Sequence, residues 1–216
     1  GKSTALRTMP QLVASAAALY ADKIAIEDGP VSISYTELDR LRRRSAAGFV
    51  AAGMNRGDRI AIWAPNIYQW ILAAIGAQSI GLVLVPVNTR WKGAEAAYAL
   101  KLSRCKLLFT VGDFLGQCYP DMLADQDLPA LQGIVMLQGD AANTQAWDDF
   151  LSAGEAVSDA QVDALAALVT PDDNLDIGFT SGTTGAPKGV VTNHGQNIRV
   201  FETWSATVGL CSDDNY

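Results

Sequence analysis

An α/β fold, with a largely parallel sheet flanked by helices, is what the sequence predicts, and three observations carry it. Runs rich in Val and Ile alternate with longer amphipathic stretches. Leu82 to Val87 is apolar throughout, as expected of a strand buried on both faces of a parallel sheet. The strand–helix order then repeats along the chain, which is the pattern of doubly wound layers.

Each element has a local justification. Thr8 is placed to cap a helix over 9–20, with Pro10 in its first turn, where proline costs no hydrogen bond. Lys23 to Glu27 and Val31 to Tyr35 flank Asp28-Gly29-Pro30 and read as a hairpin. Thr36 is the expected cap of the next helix, and Glu37 and Asp39 favour its positive end. Leu38, Leu41, Ser45, Ala46, Phe49 and Ala52 mark one helical face, and Gly53 ends it. Asp58 to Ala64 reads as a strand, Tyr68 to Ile80 as a helix and Leu82 to Val87 as the next strand. A helix near 93–103, a strand over Lys106 to Val111 and a strand over Gly133 to Leu137 follow, with no clear element over 113–130. Ser158 and Gln161 have capping-box spacing for a helix ending near Val169, which Pro171-Asp172-Asp173 breaks. Leu175 to Phe179 and Val190 to Thr192 are strands, and a last helix covers 195–208. No linker stands out, so 1–216 is read as one domain with an internal seam at 170–173.

Bulk properties remove several function classes. Hydrophobic residues make up 49% and charged residues 18% of the 216, which excludes a disordered chain. A net charge of −7 argues against a nucleic-acid partner. The one basic cluster, Arg40, Arg42, Arg43 and Arg44, reads as the wet face of a helix. Cys105, Cys118 and Cys211 lack metal or redox spacing and fit reduced thiols in a cytoplasmic protein. The apolar stretch from Ile67 to Val87 contains Gln69, Gln78, Gly81 and Pro86, so it reads as a buried helix and strand, not a membrane span.

The chemistry concentrates in Thr180-Ser181-Gly182-Thr183-Thr184-Gly185-Ala186-Pro187-Lys188-Gly189, with four hydroxyls, three glycines and one lysine. Glycines let backbone N–H groups approach an anion closely, successive N–H groups form a nest, and lysine adds a point charge. The β-branched Val190-Val191-Thr192 that follows is a strand. A Walker loop instead runs into a helix N-terminus, and the Ala-Pro-Lys-Gly lettering also differs from Gly-Lys-Ser/Thr. A plain hairpin turn is the alternative, but a turn does not require Lys188.

These ten residues resemble the signature loop of the AMP-forming adenylating enzymes, which include acyl-CoA synthetases, luciferases and peptide-synthetase adenylation domains. Gly57-Asp58-Arg59-Ile60-Ala61-Ile62 with Pro65-Asn66, Val85-Pro86-Val87-Asn88-Thr89-Arg90, and Thr192-Asn193-His194 fit the same family in the same order. The resemblance runs from about Met9 to Tyr216. It implies the first subdomain of the large N-terminal domain of such an enzyme. It also implies a two-step ligation, in which a carboxylate attacks the α-phosphate of ATP and the acyl group then passes to a thiol, usually that of coenzyme A. Thr180, Ser181, Thr183 and Thr184 would contact the β- and γ-phosphates through hydroxyls. Gly182 and Gly185 would allow close backbone approach, Lys188 would supply charge, and Mg2+ would share the neutralisation.

The family's adenine-site segment with its metal-binding acid, its ribose-binding Asp, its hinge and the lysine of its C-terminal domain have no counterpart in the chain. No catalytic residue is therefore assigned, and the 216 residues alone are expected not to complete ligation. An acyl-CoA ligase of fatty or other carboxylic acids is the leading reading, favoured by the Val85–Arg90 stretch. An adenylation domain loading a carrier protein and a non-catalytic α/β module are the alternatives. His194, the one histidine, reads as a structural residue between a strand and a helix, because no nucleophile motif accompanies it. Val200, Phe201 and Trp204 share a helical face that reads as core, and the resemblance, which implies that this helix lies near the acyl site, makes Trp204 a candidate for the acyl pocket. The segment around Trp204 resembles that of ligases for ring-derived or branched acids, without displacing fatty acids.

Overall fold

β3 (Arg59–Trp63) is the strand around which the protein is built. The computed structural model describes residues 7–180, 185–211 and 214. In it, β3 pairs in parallel with β4 (Val83–Pro86) on one side and β5 (Leu107–Val111) on the other. β8 (Gly133–Gln138) and β9 (Gln145–Ala146) extend the sheet beyond β5. β10 (Asn174–Thr180) lies parallel to β4, and β11 (Lys188–Asn193) closes that edge antiparallel to β10. The order is β11-β10-β4-β3-β5-β8-β9. Ile60, Ala61, Ile62, Trp63, Leu82 and Val85 are fully buried, which explains why their segments are apolar without alternation.

β4 and β5 flank β3 on opposite sides, so right-handed crossovers put α3 (Tyr68–Ser79) and α4 (Gly93–Ser103) on opposite faces. α2 (Tyr35–Ala51) packs against α1 (Met9–Tyr20), α3, α5 (Trp147–Ala153) and α6 (Asp159–Ala167) as one layer. α4 shares its face with a 3₁₀ turn at Asp121–Leu123. Between α2 and the sheet, Phe49, Phe109 and Phe150 meet edge-on or tilted at centroid separations of 5.0–5.2 Å. That geometry suits ring quadrupoles as well as apolar burial.

Several expectations need correction. Ser34, not Thr36, caps α2: its hydroxyl accepts the Glu37 N–H at 3.2 Å, so Thr36 falls inside the first turn. The arginine cluster is not a uniformly wet face. Arg42 is buried and forks onto Asp39 Oδ1 at 2.9 and 2.7 Å, while Arg43 bridges Asp39 to Asp163 of α6. Burying this part of α2 forces these charges to be paired. α5, β9 and the small hairpin of β6 (Asp113–Phe114) and β7 (Gln117–Cys118) have no sequence-level expectation. The hairpin predicted around Asp28-Gly29-Pro30 is present as β1 (Ile24–Asp28) and β2 (Val31–Ser34). The last helix, α7, spans His194–Val208. Its Val200, Phe201 and Trp204, expected as core, are 65%, 59% and 42% exposed.

Candidate phosphate-binding site

The glycine-rich segment forms the tip of the β10–β11 hairpin. The register runs from Asn174 opposite Asn193 at the base to Thr180 opposite Lys188 at the tip. Thr180 and Lys188 are thus brought side by side, and the Thr180 hydroxyl donates to the Lys188 carbonyl at 3.5 Å. Both side chains are exposed, so the hydroxyl and the ammonium can meet a ligand. Gly185 has φ +124°, a conformation L side chains rarely adopt, which accounts for glycine there. Ser181, Gly182, Thr183 and Thr184 lie outside the described residues.

β10 runs parallel to β4, so the hairpin tip sits at the carboxyl edge of the parallel strands. Ligands of open α/β sheets bind outside that edge, at the point where the crossovers diverge. Here that point lies between β3 and β5, whose connections leave in opposite directions. The edge is rigidly built. Trp63 stacks on Tyr119 with centroids 4.2 Å apart and planes 5° from parallel. Trp63 Nε1 donates to the Asn88 carbonyl at 3.1 Å, and the Tyr119 hydroxyl donates to the Thr89 carbonyl at 2.8 Å. Asn88 Oδ1 accepts the Arg90 N–H at 2.9 Å, completing the turn after β4. Trp91 of that turn meets Phe179, the residue before Thr180, edge to face at 6.3 Å. A cavity of about 350 Å3 lined by Arg90, Trp91, Lys92 and Tyr119 opens on this edge. Trp91 and Tyr119 belong to no motif in the sequence; their aromatic character is the only signal that could find them.

The base of the hairpin is equally specified. His194 is fully buried; its Nδ1 accepts the Met9 N–H at 3.0 Å, and its backbone N–H donates to the Asp173 carbonyl at 3.0 Å. Burial, opposed by the Asp173 carboxylate, pushes the imidazole down to about 4. Such a group stays neutral at physiological pH and is shielded from substrate. Burial tends to raise the Asp173 carboxyl, but hydrogen bonds from Arg56 and the Thr170 N–H outweigh it and hold it below its ordinary value. Trp204, farther along α7, lines a shallow apolar concavity with Gln196, Arg199, Val200 and Thr203.

Cys105 is buried, and desolvation raises its thiol to about 12, so it cannot act as a nucleophile. Among the described residues, no group of three His, Cys, Asp or Glu side chains is placed to hold a metal ion. No described helix is long and apolar enough to cross a membrane.

Known proteins resemble this arrangement over most of the chain. A family model for AMP-binding enzymes matches residues 13–216. A 3-[(3aS,4S,7aS)-7a-methyl-1,5-dioxo-octahydro-1H-inden-4-yl]propanoyl:CoA ligase of Rhodococcus jostii is 37% identical over 97% of the chain. The Mycobacterium tuberculosis protein of the same name is 36% identical over 98%. The chain spans 42% and 41% of the length of these two relatives. The inhibitor-bound N-terminal domain of FACL13 from Mycobacterium tuberculosis superposes with a TM-score of 0.78 at 26% identity, covering 98% of this chain and 49% of that one. With the family model matched across nearly its whole length, the chain belongs to the AMP-binding enzymes.

Proposed function

We propose that this chain is the N-terminal portion of an ATP-dependent, AMP-forming acyl-CoA ligase and supplies the pyrophosphate side of its ATP site. The observation that carries the reading is the pairing of Thr180 with Lys188 at a hairpin tip on the carboxyl edge of the parallel sheet. In this role Thr180, Ser181, Thr183 and Thr184 donate hydroxyls to the β- and γ-phosphates. Gly182 and Gly185 admit the anion to the backbone, and Lys188 balances charge that grows on the pyrophosphate as it leaves the α-phosphate. The attacking carboxylate and the accepting thiol of coenzyme A are co-substrates of the whole protein. ATP enters as its Mg2+ chelate, and no step is assigned to the metal.

The two ring-acid ligases, at 37% and 36% identity, favour a ring-bearing propanoate over a simple fatty acid as the carboxylic acid. Trp204 is the residue of this chain assigned to its pocket. We read 1–216 as a single unit with a seam at 170–173. Its cysteines, which are free thiols, support a cytoplasmic setting.

Calorimetry with MgATP tests the reading. Binding by the wild type, weakened about tenfold or more by Lys188→Ala (roughly 1.4 kcal/mol for one charge-assisted contact), is the expected result. Equal heats for both proteins would leave the loop as an ordinary turn.

A further inference from the structure

His194 is a fully buried polar residue that the ligation reading leaves without a task. It stands at the junction between β11 and α7. Its Nδ1 reaches 185 residues back along the chain, where it accepts the Met9 N–H at the start of α1. An Nδ1 that accepts requires the ring proton on Nε2, so the imidazole is held as a single neutral tautomer.

The surroundings show what this bond fixes. The His194 backbone N–H donates to the Asp173 carbonyl, and the Gly195 N–H donates to the Pro171 carbonyl at 2.9 Å. A Cβ at Gly195 would lie 3.2–3.3 Å from Pro171, a tight contact that glycine avoids. The Asp173 carboxylate holds Arg56 at 2.6 Å and the Thr170 N–H at 2.9 Å. The start of α1, the seam at 170–173, the turn before β3 and the start of α7 therefore meet in one knot at the base of β10–β11. The signature loop is at the other end of the same hairpin, about 20 Å away for a strand of six residues. Along the hairpin itself, β10 is attached to the sheet by its pairing with β4, the packing of Ile177 on the core and the contact of Phe179 with Trp91, whereas on β11 Val190 and Val191 are each 50% exposed. The outer strand β11, which carries Lys188, has no second strand beside it among the described residues and is therefore tied chiefly at its base.

We propose that His194 is a positioning residue for the phosphate loop: it clamps the hairpin base to the N-terminus of α1, and this sets where Thr180 and Lys188 stand at the tip. The role rests on the phosphate-binding reading, but the clamp can be tested apart from it. His194→Asn places an amide oxygen near the position of Nδ1, whereas His194→Leu keeps bulk without an acceptor. The two substitutions together separate the hydrogen bond from packing. Met9→Pro removes the donor from the other side. Met9 is the first residue of α1, where proline is tolerated, and Thr8 is already extended at φ −131°, ψ 155°.

Two measurements on the 216-residue chain decide it: amide hydrogen exchange over 174–193 and calorimetric affinity for magnesium pyrophosphate. Loss of one buried hydrogen bond is worth about 1.4 kcal/mol, or tenfold. Accordingly, His194→Leu and Met9→Pro are each expected to speed exchange in β10 and β11 about tenfold and to weaken pyrophosphate binding several-fold, with His194→Asn close to wild type in both. Unchanged hairpin exchange in Met9→Pro, or an Asn variant as loose as the Leu variant, would overturn the clamp. If the wild type binds no pyrophosphate, the phosphate-binding reading fails, and exchange alone still decides whether the clamp exists.

Discussion

The sheet around β3 and the β10–β11 hairpin share one layer but are stabilised in different ways. Ile60, Ile62, Trp63, Leu108 and Phe109 are fully buried, and helices cover both faces. On the hairpin, Leu175, Ile177 and Phe179 of β10 pack on the core, but Val190 and Val191 of the outer strand stay half exposed, and polar contacts hold its base: the His194–Met9 bond, the Asp173–Arg56 pair and the Thr192–Asp176 contact. The difference separates a framework held by non-directional burial from a ligand-facing outer strand whose base is held by directional bonds. Apolar burial tolerates changes of pH and salt, whereas buried titratable groups and the bonds they make depend on protonation. The two regions should therefore fail under different stresses.

The largest effect is expected in the framework. Phe109 meets Phe49, Trp147 and Phe150, and Phe109→Ala removes the ring they share. A loss of about 3–5 kcal/mol in urea unfolding is expected from transfer plus cavity terms. A loss under about 1 kcal/mol would mean that the aromatic cluster does not dominate the framework.

Acid tests the hairpin. The unfolded imidazole titrates at 6.5 and the buried one at about 4. The folded state therefore takes up the His194 proton less readily, and between these values the unfolded chain binds more protons. The contribution is fully present above about 6.5 and is lost as pH falls toward 4, reaching roughly 3 kcal/mol at about 1.4 kcal/mol per pH unit. The carboxyls of Glu37, Asp58 and Asp173, held low by their partners, lose stability in acid as well. The contribution of the histidine is therefore read as the difference between wild type and His194→Asn across pH of about 4–7. Parallel curves for the two proteins would contradict it.

Legibility in the sequence follows the same division. Framework strands announce themselves because a strand buried on both faces must be apolar: Leu82 to Val87 and Lys106 to Val111 contain the observed β4 and β5 with at most one residue to spare at either end. The loop is legible because Gly, Thr and Lys combine there for reasons that a plain turn does not share. Contacts distant in sequence are not legible. Nothing local tells Arg43 that Asp163 of α6 will be its partner, or tells His194 that Met9 will be its partner, 185 residues away. The cap of α2 is a different case. Ser34 and Thr36 are both competent caps, and the choice depends on where β2 ends, which pairing with β1 decides. α5 gives no sequence signal because Trp147–Ala153 is 7 residues, too short for helical periodicity to emerge.

The smallest effect is expected at Phe201. A Phe on a helical face beside Val200 and Trp204 has the pattern of a core residue, and a core Phe→Ala would cost several kcal/mol. In this chain the side chain is 59% exposed, so truncation removes little buried surface, and alanine gains slightly in helix propensity. Phe201→Ala should therefore change urea stability by no more than about 0.5 kcal/mol, the range of ordinary surface substitutions. A midpoint shift with an unchanged denaturant slope, equivalent to more than about 2 kcal/mol, would show that α7 is packed as tightly as the framework. The contrast between a buried core and a polar-tethered arm would then no longer hold at the helix that follows the loop.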